Sequence, residues 1–255
     1  MANATYKELL DAGVHFGHMK SKWHPKMAPY IFKEQNDIHL IDLNKTIQCL
    51  DQATEAVKGI VKSGRKILFV ATKKQAKEIV ATEADRLKMP FITERWLGGL
   101  LTNFTTVRKS LKKMSSIERM MKEDAFSAMV KKERLMLTRE KDKLQKVLGG
   151  IADQTRLPAA LFVVDIKKEH LAISEAKRLN IPVIGIVDTN SDPTTIDYPI
   201  PANDDAYKSI AIITKAITQA IEEGLSERKN EKDLVAEKEG TGPEEVLESA
   251  TSITE

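Results

Sequence analysis

Three short runs of consecutive apolar, largely β-branched residues stand out along the chain: 67–71 (ILFVA), 160–164 (ALFVV) and 182–187 (PVIGIV). Continuous rather than alternating hydrophobicity is the pattern of a parallel strand covered on both faces. Residues 91–93 and 197–200 predict shorter strands nearer the sheet edges, because Pro199 and Pro201 fit poorly in a central strand. Between these runs apolar positions recur every three or four residues. Ile47, Leu50, Ala53, Val57 and Ile60/Val61 form one helical stripe, and Ala76, Ile79/Val80 and Ala84/Leu87 form another. A further helix is predicted over 168–179, stopped by Asn180-Ile181-Pro182. The last helix is expected to begin at Asp204-Asp205, whose charges complement its N-terminal dipole, and to present Ile210, Ile213 and Ile217. Strand, helix and strand from 160 to 187 make a right-handed βαβ unit. The whole reads as an open, doubly wound α/β domain.

One segment breaks the alternation. Residues 104–148 contain no strand pattern. Val107, Leu111, Met114, Ile117 and Met121 make one helical stripe, and Leu137, Leu144 and Leu148 make a second, with Lys122-Glu123-Asp124 between them. This predicts an antiparallel helical hairpin with coiled-coil-like packing, inserted between Gly98-Gly99 and Gly149-Gly150. Residues 226–255 lose apolar periodicity and read by composition as an acidic, disordered tail. The domains are therefore 1–103 with 149–225 as the α/β body, 104–148 as the insertion and 226–255 as the tail.

Charge is unevenly distributed along the chain. Residues 1–148 carry 29 Lys+Arg against 17 Asp+Glu, whereas residues 149–255 carry 11 against 20. A basic body with an acidic tail suits a nucleic-acid partner, and equally a solvated surface with none. The single Cys49 excludes an internal disulfide, and it lies on an apolar helix stripe that places it in the core. No apolar run approaches the roughly 18 residues of a membrane span. The expectation is a cytoplasmic protein with no membrane contact.

Catalytic motifs are missing. There is no phosphate-binding G-x-x-x-x-G-K-[ST] loop, no dinucleotide fingerprint and no nucleophile elbow. Ligands of parallel α/β sheets sit beyond the carboxyl ends of the strands. There the sequence places Thr72-Lys73-Lys74, Asp165, Asp188 to Asp192, and Asp204-Asp205. Such carboxylates either bind a hard cation or cap helices and order turns. The cluster His15-Phe16-Gly17-His18, with His24 nearby, suits either metal ligation or a packed structural pair beside glycines. No nucleophile, cofactor motif or acid–base pair supports an enzyme.

Nucleic-acid binding has more material. Lys20, Lys22, Lys26 and Lys33 surround Trp23 and Tyr30 in one loop; Lys62, Arg65 and Lys66 precede the first strong strand and Lys73-Lys74 follow it. Arg95 stands beside Trp96 at the hairpin root, and Arg108-Lys109 lie one turn from Lys112-Lys113. Cations so spaced can follow a phosphate backbone, and structured RNA is read by shape, phosphate and 2′-OH without a base-reading motif. The candidate RNA-binding set is Lys20, Lys22, Lys26, Arg65, Lys73, Lys74, Arg95, Arg108, Lys109 and Lys112. Trp23 and Trp96 themselves read as core.

Several of these stretches together resemble one family. They are His15-Phe16-Gly17-His18, Trp23 with Pro25-Lys26-Met27, 68–73 (LFVATK), Arg95-Trp96-Leu97-Gly98-Gly99 with Leu101-Thr102-Asn103, 186–193 (IVDTNSDP), and Ile200-Pro201 with Asn203-Asp204-Asp205-Ala206. The chain resembles bacterial small-subunit ribosomal protein number two over about residues 5–225. The resemblance implies a flavodoxin-like doubly wound parallel sheet with an inserted α-helical coiled-coil hairpin. It implies a structural, non-enzymatic role: binding 16S rRNA in the small subunit, with late entry into assembly. Its partners would be neighbouring small-subunit proteins, including the large mRNA-binding ribosomal protein number one, with no small-molecule substrate. It implies no required cofactor, and a divalent ion (Mg or Zn) near His18, Asp188, Asp204 and Asp205. Two rival readings are an α/β enzyme or phosphate-ligand protein using the strand-end carboxylates, and a coiled-coil adaptor that binds only proteins.

Overall fold

The computed structural model describes residues 4–240 apart from 124, 125, 127 and 128, and of 232–240 only the backbone. Its centre is a five-stranded parallel sheet made of β4 (Ile67–Val70), β5 (Phe91–Ile92), β6 (Ala160–Val164), β7 (Val183–Val187) and β8 (Tyr198–Pro201). They lie side by side in the order β5-β4-β6-β7-β8, the second-first-third-fourth-fifth order of one common doubly wound arrangement. The two proline-limited or short strands, β8 and β5, are the edges, as the pattern predicts.

Both faces of the central strands are buried, which is why these runs do not alternate in polarity. Ile67, Phe69, Phe162, Ile184 and Ile186 point to one apolar cluster with α2 (Leu43–Lys62), α3 (Lys74–Arg86) and the last helix, α7 (Tyr207–Gly240). Leu68, Val70, Leu161, Val163 and Val183 point to the other. There they meet α6 (His170–Arg178) and the inner ends of α4 (Phe104–Met120) and α5 (Lys131–Leu148). Leu111 and Leu148 share this second cluster, and Lys113 pairs with Glu140, so α4 and α5 run in opposite directions. Their root is continuous with the sheet's core.

The N-terminal part holds the largest departure from expectation. After α1 (Tyr6–Asp11), a stretch in which the sequence assigns only residues 20–33, as a loop, forms a second sheet: β1 (Phe16–Met19), β2 (Ile31–Gln35) and β3 (Ile38–Ile41), antiparallel in the order β1-β3-β2. Two 3-10 segments, Lys20–Lys22 and Pro25–Tyr30, fill most of the interval between β1 and β2, so the predicted loop 20–33 is mostly ordered and Lys33 lies on a strand. Asn36 and Asp37 both take positive φ, the geometry of a two-residue hairpin turn.

Two further corrections concern the last helix. It begins at Tyr207, and Asn203 Oδ1 accepts the free amides of Asp205 and Ala206, so the acidic pair does not cap it. It also continues past 225 to Gly240. Lys58 pairs with Glu227 at 2.6 Å and Lys62 with Glu231 at 2.5 Å, tying this polar stretch to α2. Composition missed it because the stretch offers charges to a neighbour, not an apolar face. Residues 241–255 of the expected tail lie outside the described residues. No helix among the described residues is long and apolar enough to cross a membrane.

Candidate functional site

The strand order reverses between β4 and β6, and a ligand crevice is expected at their carboxyl ends. Here the crevice holds Lys73, which follows β4 and is only 13% exposed. Its Nζ lies 2.7 Å from Asp204 Oδ1, 2.7 Å from Asp205 Oδ1 and 3.6 Å from Asp165 Oδ2. Burial would lower the Lys73 pKa, but the Asp204 charge and the hydrogen bonds that Lys73 donates to Asp204 and Asp205 outweigh it, and the pKa lies above the usual lysine value.

The small sheet closes over this network. Gly17 is a glycine because a Cβ there would stand 2.5 Å from Thr189 Cγ2 and 2.9 Å from the His39 carbonyl oxygen. That close approach lets the His18 amide donate to Thr189 Oγ1 at 2.8 Å, and the His24 amide to the Thr189 carbonyl at 2.7 Å. His18 Nδ1 then sits 3.0 Å from Asp188 Oδ2, and Nε2 sits 3.5 Å from Asp205 Oδ2. The Asp188 hydrogen bond raises the His18 pKa against a smaller opposing effect of burial. Asp204 is 1% exposed, and its Oδ2 has no partner among the described residues. Burial first, then the charges of Asp188 and Asp165, push its carboxyl up to about 7 despite Lys73.

His18, Asp188 and Asp204 each bring a ligand atom to within 4.8 Å of the others. Asp205, expected with them, stands apart: it is 54% exposed, and one oxygen belongs to Lys73. The orphaned Asp204 oxygen and the mixed nitrogen and oxygen donors fit a divalent cation.

The expected RNA-binding cations separate into two groups. Lys22, Arg65, Lys74, Arg95, Arg108, Lys109 and Lys112 are exposed and enter no ion pair among the described residues. Lys20 pairs with Glu34 at 2.9 Å and Lys26 with Asp192 at 2.8 Å, both near the surface. Lys73 is the correction: a half-buried ammonium shared by carboxylates is not on offer to a phosphate. Trp96 is core, as read, but Trp23 is not; it is 37% exposed and its ring lies 5.1 Å from His39. Cys49 is half-buried, not deep in the core, and burial raises its pKa.

Sequence reasoning missed Glu175. Its carboxylate accepts five hydrogen bonds. The donors are Trp96 Nε1, the amides of Gly99, Leu101 and Thr102, and the Thr102 hydroxyl, at 2.8–3.1 Å. A lone Glu inside a helix pattern carried no signal; the available one was the Gly98-Gly99 turn, whose amides need an acceptor.

The features so far define an α/β protein whose switch-point crevice is spanned by its own ion pairs and whose basic half carries unpaired cations. Residues 9–224 match the family described as ribosomal protein S2, and the chain belongs to that family. It is 75% identical to small ribosomal subunit protein uS2 of Cytophaga hutchinsonii over 228 residues, covering 89% of this chain and 90% of that one. It is 60% identical to the protein of the same name from Flavobacterium johnsoniae over 245 residues, covering 96% of each. With that from Parabacteroides distasonis the identity is 58%, covering 91% of this chain and 84% of the relative.

Proposed function

We infer that the chain is a structural constituent of the small ribosomal subunit and transforms no substrate. The observation that carries this is the family match, which spans the whole parallel sheet and the small sheet over it. The crevice supports it: where an α/β enzyme would admit substrate, Lys73 is held by Asp204 and Asp205. The strand-end carboxylates serve the fold, which disfavours the enzyme reading.

The seven free cations are the contacts proposed for 16S rRNA phosphates. Lys20 and Lys26 join them by exchanging weak surface pairs, which cost little to break. On this reading α4 and α5 form the flavodoxin-like body's coiled-coil insertion, over 104–148, with 1–103 and 149–225 as the body. Their exposed faces meet rRNA or neighbouring subunit proteins, the large mRNA-binding ribosomal protein number one among them, in the cytoplasm. His18, Asp188 and Asp204 would hold a divalent cation, zinc being favoured by the imidazole and magnesium by the carboxylates. Bound there, the ion would supply positive charge that ties β1 to the ends of β7 and of the segment before α7.

Gradient sedimentation of the tagged chain from lysate tests the reading. It predicts the chain in the small-subunit fraction together with 16S rRNA. A chain found only among free proteins contradicts it.

A further inference from the structure

Each helix of the α4–α5 pair turns a row of cations away from the other. On α5 the apolar seam runs through Leu137, Leu144 and Leu148. At about 100° per residue, Lys132, Arg139, Lys143 and Lys146 fall within about 60° of one another on the opposite side, and all four are exposed. Lys132, Arg139 and Lys143 enter no ion pair among the described residues, and Lys146 has only a long one, 3.9 Å from Glu94. Glu133 and Glu140 lie nearer the seam, and Glu140 is taken by Lys113. Asp142 borders the row and forms no ion pair with it among the described residues. On α4 the seam is Leu111, Met114 and Ile117, all buried. Arg108, Lys109, Lys112 and Arg119 stand exposed on its far side, with no ion pair among the described residues. The two seams meet each other and, at the root, the sheet's core. Helices packed in this way have axes about 8–10 Å apart, so the two cation rows stand about 20 Å apart and face away from each other.

We propose that the hairpin is held between two separate segments of RNA backbone, one along each cation row. A row of cations follows phosphates by charge alone, and rows that point away from each other cannot both lie on one straight RNA helix. From Lys132 to Lys146 the α5 row spans about 21 Å. A protein partner on this face is disfavoured, because the core of a protein interface is depleted of lysine and rich in apolar and aromatic contacts. The exposed apolar residues here, Val130, Leu135 and Met136, are confined to the outer end. Beyond Met136 the exposed positions of α5 are Arg139, Asp142, Lys143, Gln145 and Lys146. The proposal rests on the reading of this chain as an rRNA-binding protein, which already sets α4 against RNA, and adds a second RNA segment on the side turned the other way.

Hydroxyl-radical footprinting of 16S rRNA in small subunits reconstituted with the tagged full chain tests it. The parent is compared with an α4 variant (Arg108→Ala, Lys109→Ala, Lys112→Ala) and an α5 variant (Lys132→Ala, Arg139→Ala, Lys143→Ala). All six positions are exposed and alanine favours the helix, so folding is not endangered. The expected result is two protected RNA segments that do not overlap, the α4 variant losing one and the α5 variant the other. For the isolated RNA, the slope of log affinity against log salt becomes shallower by about 2–3 in each variant, and by about twice that in the two combined. Lys132→Arg with Lys143→Arg keeps the charge and retains the α5 protection; its loss there would overturn a contact made by charge. An α5 variant that protects everything the parent protects overturns the proposal, as does one that loses the same segment as the α4 variant. A cross-link from Lys143 to a neighbouring subunit protein, with no RNA protection that depends on α5, gives this face to a protein and overturns it too. Each of those outcomes leaves α4 on RNA in the parent, so the rRNA reading survives them. Subunits in which no RNA protection depends on the chain end that reading and the two-sided hairpin together.

Discussion

Glu175, on α6, accepts the indole N–H of Trp96 at 3.0 Å, and through the same carboxylate fixes the turn from which α4 departs. Burial would raise this carboxyl's pKa, but the converging donors hold it below the usual carboxylate value. Its contribution to stability is therefore complete above the unfolded pKa and is lost as pH falls through the folded one. Glu175→Ala strands an indole N–H and three amides, and is expected to cost about 3 kcal/mol or more. Urea denaturation at neutral pH checks this, and the gap between variant and parent should close in acid.

Lys73→Met removes the cation that Asp204 and Asp205 share. Breaking a buried pair from one side costs about 3–5 kcal/mol. Because the Asp204 carboxyl already titrates at about 7, the loss should be largest on the alkaline side and shrink as Asp204 takes up a proton. The parent follows the same sign. A carboxyl raised on folding stabilises most below its unfolded pKa, and that stability falls as pH rises toward the folded value. His18, raised by Asp188, acts in the same direction. Denaturation midpoints on either side of neutrality measure both effects.

Zinc should bind His18, Asp188 and Asp204 more tightly above neutrality than below, because protons compete for the same oxygens and nitrogen. At a hundredfold excess over Kd the fold should gain about 2.7 kcal/mol. Thermal unfolding with and without zinc, and in His18→Ala, reads it. An equal gain in the variant would move the ion elsewhere.

Replacing Arg108, Lys109 and Lys112 together by alanine leaves the core untouched, since all three are exposed. Binding to rRNA should weaken, and the slope of log affinity against log salt should become shallower by about 2–3, near one per lost phosphate contact. An unchanged slope would remove α4 from the RNA surface.

Much of this architecture is legible in the sequence because burial writes itself into composition. Strands covered on both faces, such as Leu161 and Phe162 side by side, need only apolar residues, and helices declare their period. The small antiparallel sheet was not legible in the same way. Its strands are only four or five residues long and β2 is almost wholly exposed, so β2 reads as polar loop, although Asn36-Asp37 is a hairpin signal. Of the site, the motif residues His18, Asp188 and Asp204 were visible, and their meeting was not. It depends on Gly17 allowing β1 to lie against Thr189, a contact between positions 171 or more residues apart. For Lys73 the sequence supplies a charge but not a direction, and the direction decides whether it meets RNA or carboxylates.

A density map of the small subunit that carries this chain would show where these cations point. Lys22, Arg65, Lys74, Arg95, Arg108, Lys109 and Lys112 are expected on the face toward 16S rRNA, within ion-pair reach of its phosphates, with Lys73 still turned into its carboxylates. A map that places those seven side chains in solvent, away from any RNA, would contradict it.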